Sequence, residues 1–191
     1  MASPPFDASK AVTFDLSRGE IRKDDDDRRV LISARAITAL CQAAGDDATS
    51  AFGQSVGESI GGAIASRFER SGGDARGASI ESIVEHLAGE IAVAGLGTVS
   101  AERWGRALVL VVDHASAEGD DVLAPLLGAT VSRAAKVQAR CVRLSREGDR
   151  VRFLVAGEAG AGKVRDWLSA GVPWGEALVR LHPPLPEEGQ P

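Results

Sequence analysis

The chain has 191 residues, 44% of them hydrophobic and 26% charged, with a formal net charge of −5. That size and balance fit one globular domain with a core of ordinary size. The acidic balance, with no basic stripe or aromatic ladder, argues against nucleic acid as a partner, and no apolar run approaches the roughly 18 residues that a membrane span needs.

Only Cys41 and Cys141 are present and no CxxC occurs, which excludes a disulfide framework and a zinc ribbon. Arginine supplies 18 of the 22 basic residues, a skew typical of GC-rich bacterial coding. MASPPFDASK has no apolar signal segment, so a cytoplasmic protein is expected.

In chain order, VTFDLSRGEIR (12–22) reads as two short strands around a turn at Ser17–Gly19. KDDDDRR (23–29) follows. Consecutive carboxylates point in different directions and repel one another, so a solvated turn leading to a helix N-terminus is expected rather than a metal site. VLISARAITALCQAAG (30–45) has a helical apolar face of Leu31, Ala34, Ile37, Ala39, Leu40 and Cys41, and Gly45 is placed to end it.

The next segment, 46–73, is the most patterned. Asp46 or Asp47 can cap a helix that ends near Gly72–Gly73. Phe52, Val56, Ile60, Ile64 and Phe68 recur every four residues, and Gly53, Gly57 and Gly61 recur beside them. An interior glycine costs a helix about 1 kcal/mol relative to alanine. Three in register therefore call for a neighbour whose backbone packs against bare backbone. Gln54, Ser55, Glu58 and Ser59 rule out a membrane span, leaving a soluble helix in tight contact with another, within the domain or across a dimer axis.

A loop at 71–78 precedes a helix over 79–95 with Ser79 as N-cap and Ile80, Ile83, Val84, Leu87 and Ile91 as its apolar face. Ala107–Val112 is an unbroken apolar run and reads as a buried strand. A helix is expected over 120–136, with Pro125 near its first turn. Residues 137–157 alternate apolar and polar on both sides of Glu147-Gly148-Asp149, a hairpin signal that puts Val137, Ala139 and Cys141 on one face with Val151, Phe153 and Val155. Residues 163–181 read as helical with an interruption at Gly171–Pro173, and HPPLPEEGQP as a disordered tail.

Three constellations invite chemistry. Gly157, Gly162 and Lys163 match the spacing of a phosphate-binding loop, but Val164 replaces the hydroxyl that would hold Mg²⁺. Only 28 residues follow Lys163, the acidic strand end Asp113 precedes the loop, and the strand leading in is one arm of a hairpin. The stretch is therefore expected to be a flexible glycine-rich turn. Asp113, His114 and Ser116 lie at a strand end, yet adjacent strand residues point to opposite faces and cannot form a triad. His86 is expected on the polar side of its helix and His182 in the tail, and no set of side chains has metal-ligand spacing.

The order of elements resembles the 4-vinyl-reductase, or hydrocarbon-binding, domain family, which is related in fold to the small subunits of the TRAPP tethering complex. The residues that carry it are FDLSRGEI leading into RRVLISARAITALCQAAG; FGQSVGESIGGAIASRF; LAGEIAVAGLGTVSAERWGRALVLVVDHA; VLAPLLGATVS; and ARCVRLSREGDRVRF, spanning about residues 12–156. Arg152 stands near the second cysteine of the family's closing hairpin, and Phe153 comes one residue early, so a metal or redox role attached to that pair is not carried over. The resemblance implies sensing of a small apolar molecule between helices and sheet, in a stand-alone module.

The expectation is thus an α/β (α+β) fold, a mainly antiparallel twisted sheet of about 4–5 strands with helices packed on it. One 4-vinyl-reductase-like domain covers 12–181, between a flexible tail at 1–11 and a disordered one at 182–191. The expected function is a non-enzymatic binding or scaffold module, a homodimer or a partner of another protein, without a cofactor. Gly53, Gly57 and Gly61 would form its interface, and Phe52, Val56, Ile60, Leu87 and Ile91 would hold a small apolar ligand. Two rivals stand beside it: a nucleotide-binding protein using Gly157, Gly162 and Lys163, and an enzyme acting on an apolar or tetrapyrrole substrate.

Overall fold

The structure, a computed structural model, describes residues 6–7, 11–23, 27–70, 79–116 and 119–182. The acidic residues 24–26, the loop at 71–78 and nearly all of both expected tails lie outside the described residues. Strands β1 (Val12–Asp15), β2 (Glu20–Lys23) and β3 (Asp27–Arg29) come first, then helices α1 (Ala34–Ala44), α2 (Asp46–Arg70) and α3 (Ile80–Val93). Strands β4 (Thr98–Trp104) and β5 (Ala107–Asp113), helix α4 (Asp120–Ala135), strands β6 (Arg140–Glu147) and β7 (Arg150–Ala156), and helices α5 (Glu158–Ser169) and α6 (Trp174–Leu181) complete it.

The fold is α+β, with two antiparallel sheets. One has the order β1-β2-β3 and the other β4-β5-β7-β6. The four-stranded sheet is buried on both faces, which explains the unbroken apolar run of β5. Leu110 and Val112 point to one side, where they join Val151 and Phe153 of β7 and the apolar faces of α2, α3 and α4. Val109 and Val111 point to the other, where they meet Val142, Leu144, Leu154 and helices α5 and α6. Period-2 alternation thus feeds two cores from one strand. The β6–β7 hairpin turns at Gly148, whose φ of 65° is left-handed, and pairs Glu147 with Arg150 as the sequence signal required.

Expectations for the N-terminal elements need correction. Residues 27–29 of the expected acidic turn are a third strand, paired to β2 by Ile21↔Arg29. Helix α1 starts at Ala34 behind Ser33, whose side chain accepts from Ala36 N–H, so Val30, Leu31 and Ile32 precede the helix and are exposed. Leu40 is exposed as well, and the buried face of α1 consists of Thr38 and Cys41. Strand β4 carries no strong apolar pattern because it lies at the sheet edge with only Val99 buried.

Candidate functional site

Helices α2 and α4 are in backbone contact. A Cβ on Gly53 would lie 2.6 Å from the Val122 carbonyl oxygen, and one on Gly61 would lie 2.7 Å from that of Thr130. On Gly57 it would overlap the Leu126 carbonyl. The buried Thr130 hydroxyl uses this closeness, lying 3.1 Å from the Gly57 carbonyl oxygen and 2.9 Å from that of Leu126. The partner of the glycine stripe is therefore α4 of the same chain.

The five residues singled out for a ligand lie along α2 and α3. Ile60, Leu87 and Ile91 are in the core, Val56 packs at its margin, and Phe52 is 41% exposed. A cleft of about 920 Å³ opens elsewhere, between the N-terminal half of α4, β6 and α5. Several of its charges are paired with one another. Asp120 accepts from Arg143 Nη1 at 3.1 Å and from Arg146 Nε and Nη2 at 2.9 and 2.6 Å. Arg140 Nε donates to Glu158 at 2.6 Å. Burial would raise the Asp120 carboxyl, but Arg146 and then Arg143 outweigh it and hold it below its ordinary value. Cys141 reaches this wall with its thiol pushed up to about 12 by burial, so it is protonated and unreactive at neutral pH. A second cleft of about 350 Å³ lies between α3 and β4, with apolar walls from Ile80, Val84, Val99 and Leu108. None of the five ligand candidates lines either cleft.

The glycine-rich stretch at 157–163 is helical, which corrects the expected turn. Gly157 is the N-cap of α5, Ala161 N–H donates to its carbonyl at 2.9 Å, and Gly162 and Lys163 lie inside the helix. Glu158 occupies the first turn, where a bound phosphate would need the helix N-terminus free of negative charge. His114 Nδ1 lies 3.1 Å from Asp149 Oδ2 on the exposed hairpin turn, while Asp113 lies 3.6 Å from Arg150 Nε. Asp113, His114 and Ser116 therefore form no relay. Arg152 pairs with Glu147 at 2.8 Å. Among the described residues no cluster of His, Cys, Asp and Glu could hold a metal ion.

The most unusual surroundings are at the seam of α2 and α3. Glu90 of α3 is buried, its carboxylate held between Lys23 of β2 and Arg67 of α2, with Arg67 Nη1 at 2.6 Å. One turn earlier, His86 is only 3% exposed, and neither ring nitrogen has a hydrogen-bond partner among the described residues. Phe68 meets the imidazole edge-on at 5.0 Å and Phe6 at 6.3 Å. Burial, with Arg67 next, lowers the His86 pKa against the opposing pull of Glu85 and Glu90, so the ring is neutral at physiological pH.

This corrects the placement of His86 on a polar helix face. Its cover comes from Phe68 of α2 and from Phe6, which periodicity within α3 does not register. The readable signal was Glu90, a carboxylate beside the apolar stripe of Ile83, Leu87 and Ile91, which has to find cations when buried.

A crystal structure of the phenol-responsive sensory domain of the transcription activator PoxR with phenol has a similar fold, with a TM-score of 0.61 and 15% sequence identity over 93% of this chain and 94% of that chain. At that identity the likeness is one of fold. No protein-family model matches the chain. No curated protein matches it significantly.

Proposed function

We propose that the chain is a ligand-binding sensory module that holds a small apolar or aromatic molecule and passes its presence on through a protein interface. The observation that supports this is the end-to-end likeness in fold to a sensory domain that responds to phenol. In the large cleft, Asp120 is taken up by Arg143 and Arg146, and burial keeps the Cys141 thiol protonated. In this reading the ligand is held at the seam of α2 and α3, with Phe52, Val56, Ile60, Leu87 and Ile91 as the apolar body of the two helices that form it. Gly53, Gly57 and Gly61, by seating α2 on α4, keep one wall of that seam fixed. The module acts as a homodimer through apolar side chains that the fold leaves uncovered in its N-terminal third, among them Phe14, Leu16, Leu31 and Leu40.

Native mass spectrometry of the purified protein reads oligomer and retained ligand together. A thermal-shift panel of phenol, indole, toluene and fatty acids then tests the ligand class, with stabilisation expected from the small aromatics. Stabilisation by ATP or GTP with Mg²⁺, lost in Lys163→Ala, would replace the reading with a nucleotide-binding one. A coloured cofactor on the purified protein would replace it with an enzymatic one.

A further inference from the structure

Phe6 sits in a slot shaped for an aromatic ring. Gly89 forms its floor: a Cβ there would overlap the Phe6 ring, so only glycine leaves room for it. The Arg67 guanidinium lies over the ring face at 5.0 Å from its centroid. His86 closes the side, edge-on at an interplanar angle of 81°. The slot thus offers a planar ring a flat seat, a cation above and an imidazole beside it. Its present occupant satisfies only part of this. A phenyl ring has no group that can pair with His86, whose two nitrogens are buried without partners among the described residues, an unfavourable state for polar groups. Phe6 is also the occupant least embedded in the fold, lying ahead of the first strand and half-buried, whereas His86, Arg67 and Gly89 sit on packed helices.

We propose that this slot is a binding site for a small planar aromatic molecule carrying one hydroxyl or N–H, and that Phe6 is its tethered resident, displaced when the ligand binds. The inference deepens the sensory reading above and rests on it. The ligand ring takes the seat of Phe6 on Gly89 and Arg67, and its polar group pairs with His86. A neutral imidazole can accept from a hydroxyl or N–H, or donate to a hydroxyl oxygen. Phe6 precedes β1 in the chain, so its displacement is a change on the N-terminal side of that strand. Binding at the α2–α3 seam is thereby converted into a change at the N-terminal sheet, which Lys23 ties to the same seam through Glu90.

A resident ring lowers apparent affinity by the fraction of time the slot is free, so its removal should raise affinity. The full chain and Phe6→Ala are titrated with phenol, indole and toluene, while the imidazole signals of His86 are followed by NMR. Phe6→Ala should bind phenol and indole about tenfold more tightly than the unaltered chain. The His86 ring signals should shift with phenol and indole, and toluene should bind more weakly than either. Gly89→Ala provides the second arm, because the added methyl group takes the room that either ring, Phe6 or ligand, would occupy. It should weaken binding of both ligands at least as strongly as Phe6→Ala strengthens it. Equal affinities in the full chain and Phe6→Ala, with His86 signals unmoved, would place the ligand elsewhere: the slot is then overturned and the sensory reading stands. Failure of every probe to bind both the full chain and Phe6→Ala overturns the two together.

Discussion

Gly61 and Gly62 are adjacent in the chain, yet their surroundings are opposite. The space a side chain would need at Gly61 is filled by Thr130 and Arg133 of α4, while Gly62 faces open space. Gly57 is the tightest of the stripe. Gly57→Ala is expected to destabilise the protein by about 2 kcal/mol, the cost of an overpacked contact that backbone cannot relieve. Gly62→Ala should instead gain up to about 1 kcal/mol of helix propensity. Urea denaturation of the pair reads both, and equal effects would remove the close approach of the two helices. His86 predicts a pH dependence. Above the ordinary histidine value of about 6.5 the ring is neutral folded or unfolded, and no stability is at stake. Below it the unfolded chain takes a proton that the buried ring resists, so stability falls as pH drops toward the lowered folded value. Melting temperatures from pH 7.5 to 5 should decline, and His86→Phe should flatten the His86 part of that decline. Cys141 should resist iodoacetamide in the folded protein at pH 8 and react only after denaturation, which peptide mass spectrometry reads directly.

At the scale of elements, the start of α4 is fastened to β6 through Asp120, which sits in the first turn of the helix and takes both Arg143 and Arg146. Carboxylate and helix N-terminus favour one another, and the arginines neutralise what burial would penalise. Asp120→Asn is expected to cost about 1–3 kcal/mol in chemical denaturation. The lowered carboxyl value means that this contribution is present at neutral pH and is lost in acid, as pH falls through it. What could be read in advance follows how local each signal is. The hairpin at Gly148, the caps at Ser79 and Gly45, and the spacing of Gly53, Gly57 and Gly61 are written in a few neighbouring residues, and each is found in the fold as read. Strand β4 was not legible, because an edge strand with exposed polar residues has no apolar rhythm to show. Helix α5 was misplaced because Gly157, Gly160 and Gly162 look like a loop. Ala161 and Val164, both fully buried against the sheet, provide the tertiary anchor that overrides propensity there. The surroundings of His86 depend on Phe6, Arg67 and Phe68, which arrive from two distant segments, and no window of sequence contains them together.

On the scale of the whole molecule, the four-stranded sheet and its two helical layers bury most of their large apolar side chains, while the N-terminal third leaves several of its own strongly exposed. Leu31 is 82% exposed, Leu40 69% and Leu16 89%. Apolar area of this kind is covered by a partner in many oligomers. Multi-angle light scattering should find a dimer for the unaltered chain. Leu31→Glu with Leu40→Glu should shift it toward monomer without changing its circular dichroism, and a monomeric unaltered chain would dismiss the assembly.

The hydrogen bond from Thr130 across to α2, set where two backbones touch, has a mechanical corollary. Helices seated so closely cannot slide or roll on one another without collision, so α2, α4 and the sheet beneath them form a stator. Any give in the fold is left to the pieces outside it, among them α3 and the N-terminal strands joined to it through Glu90.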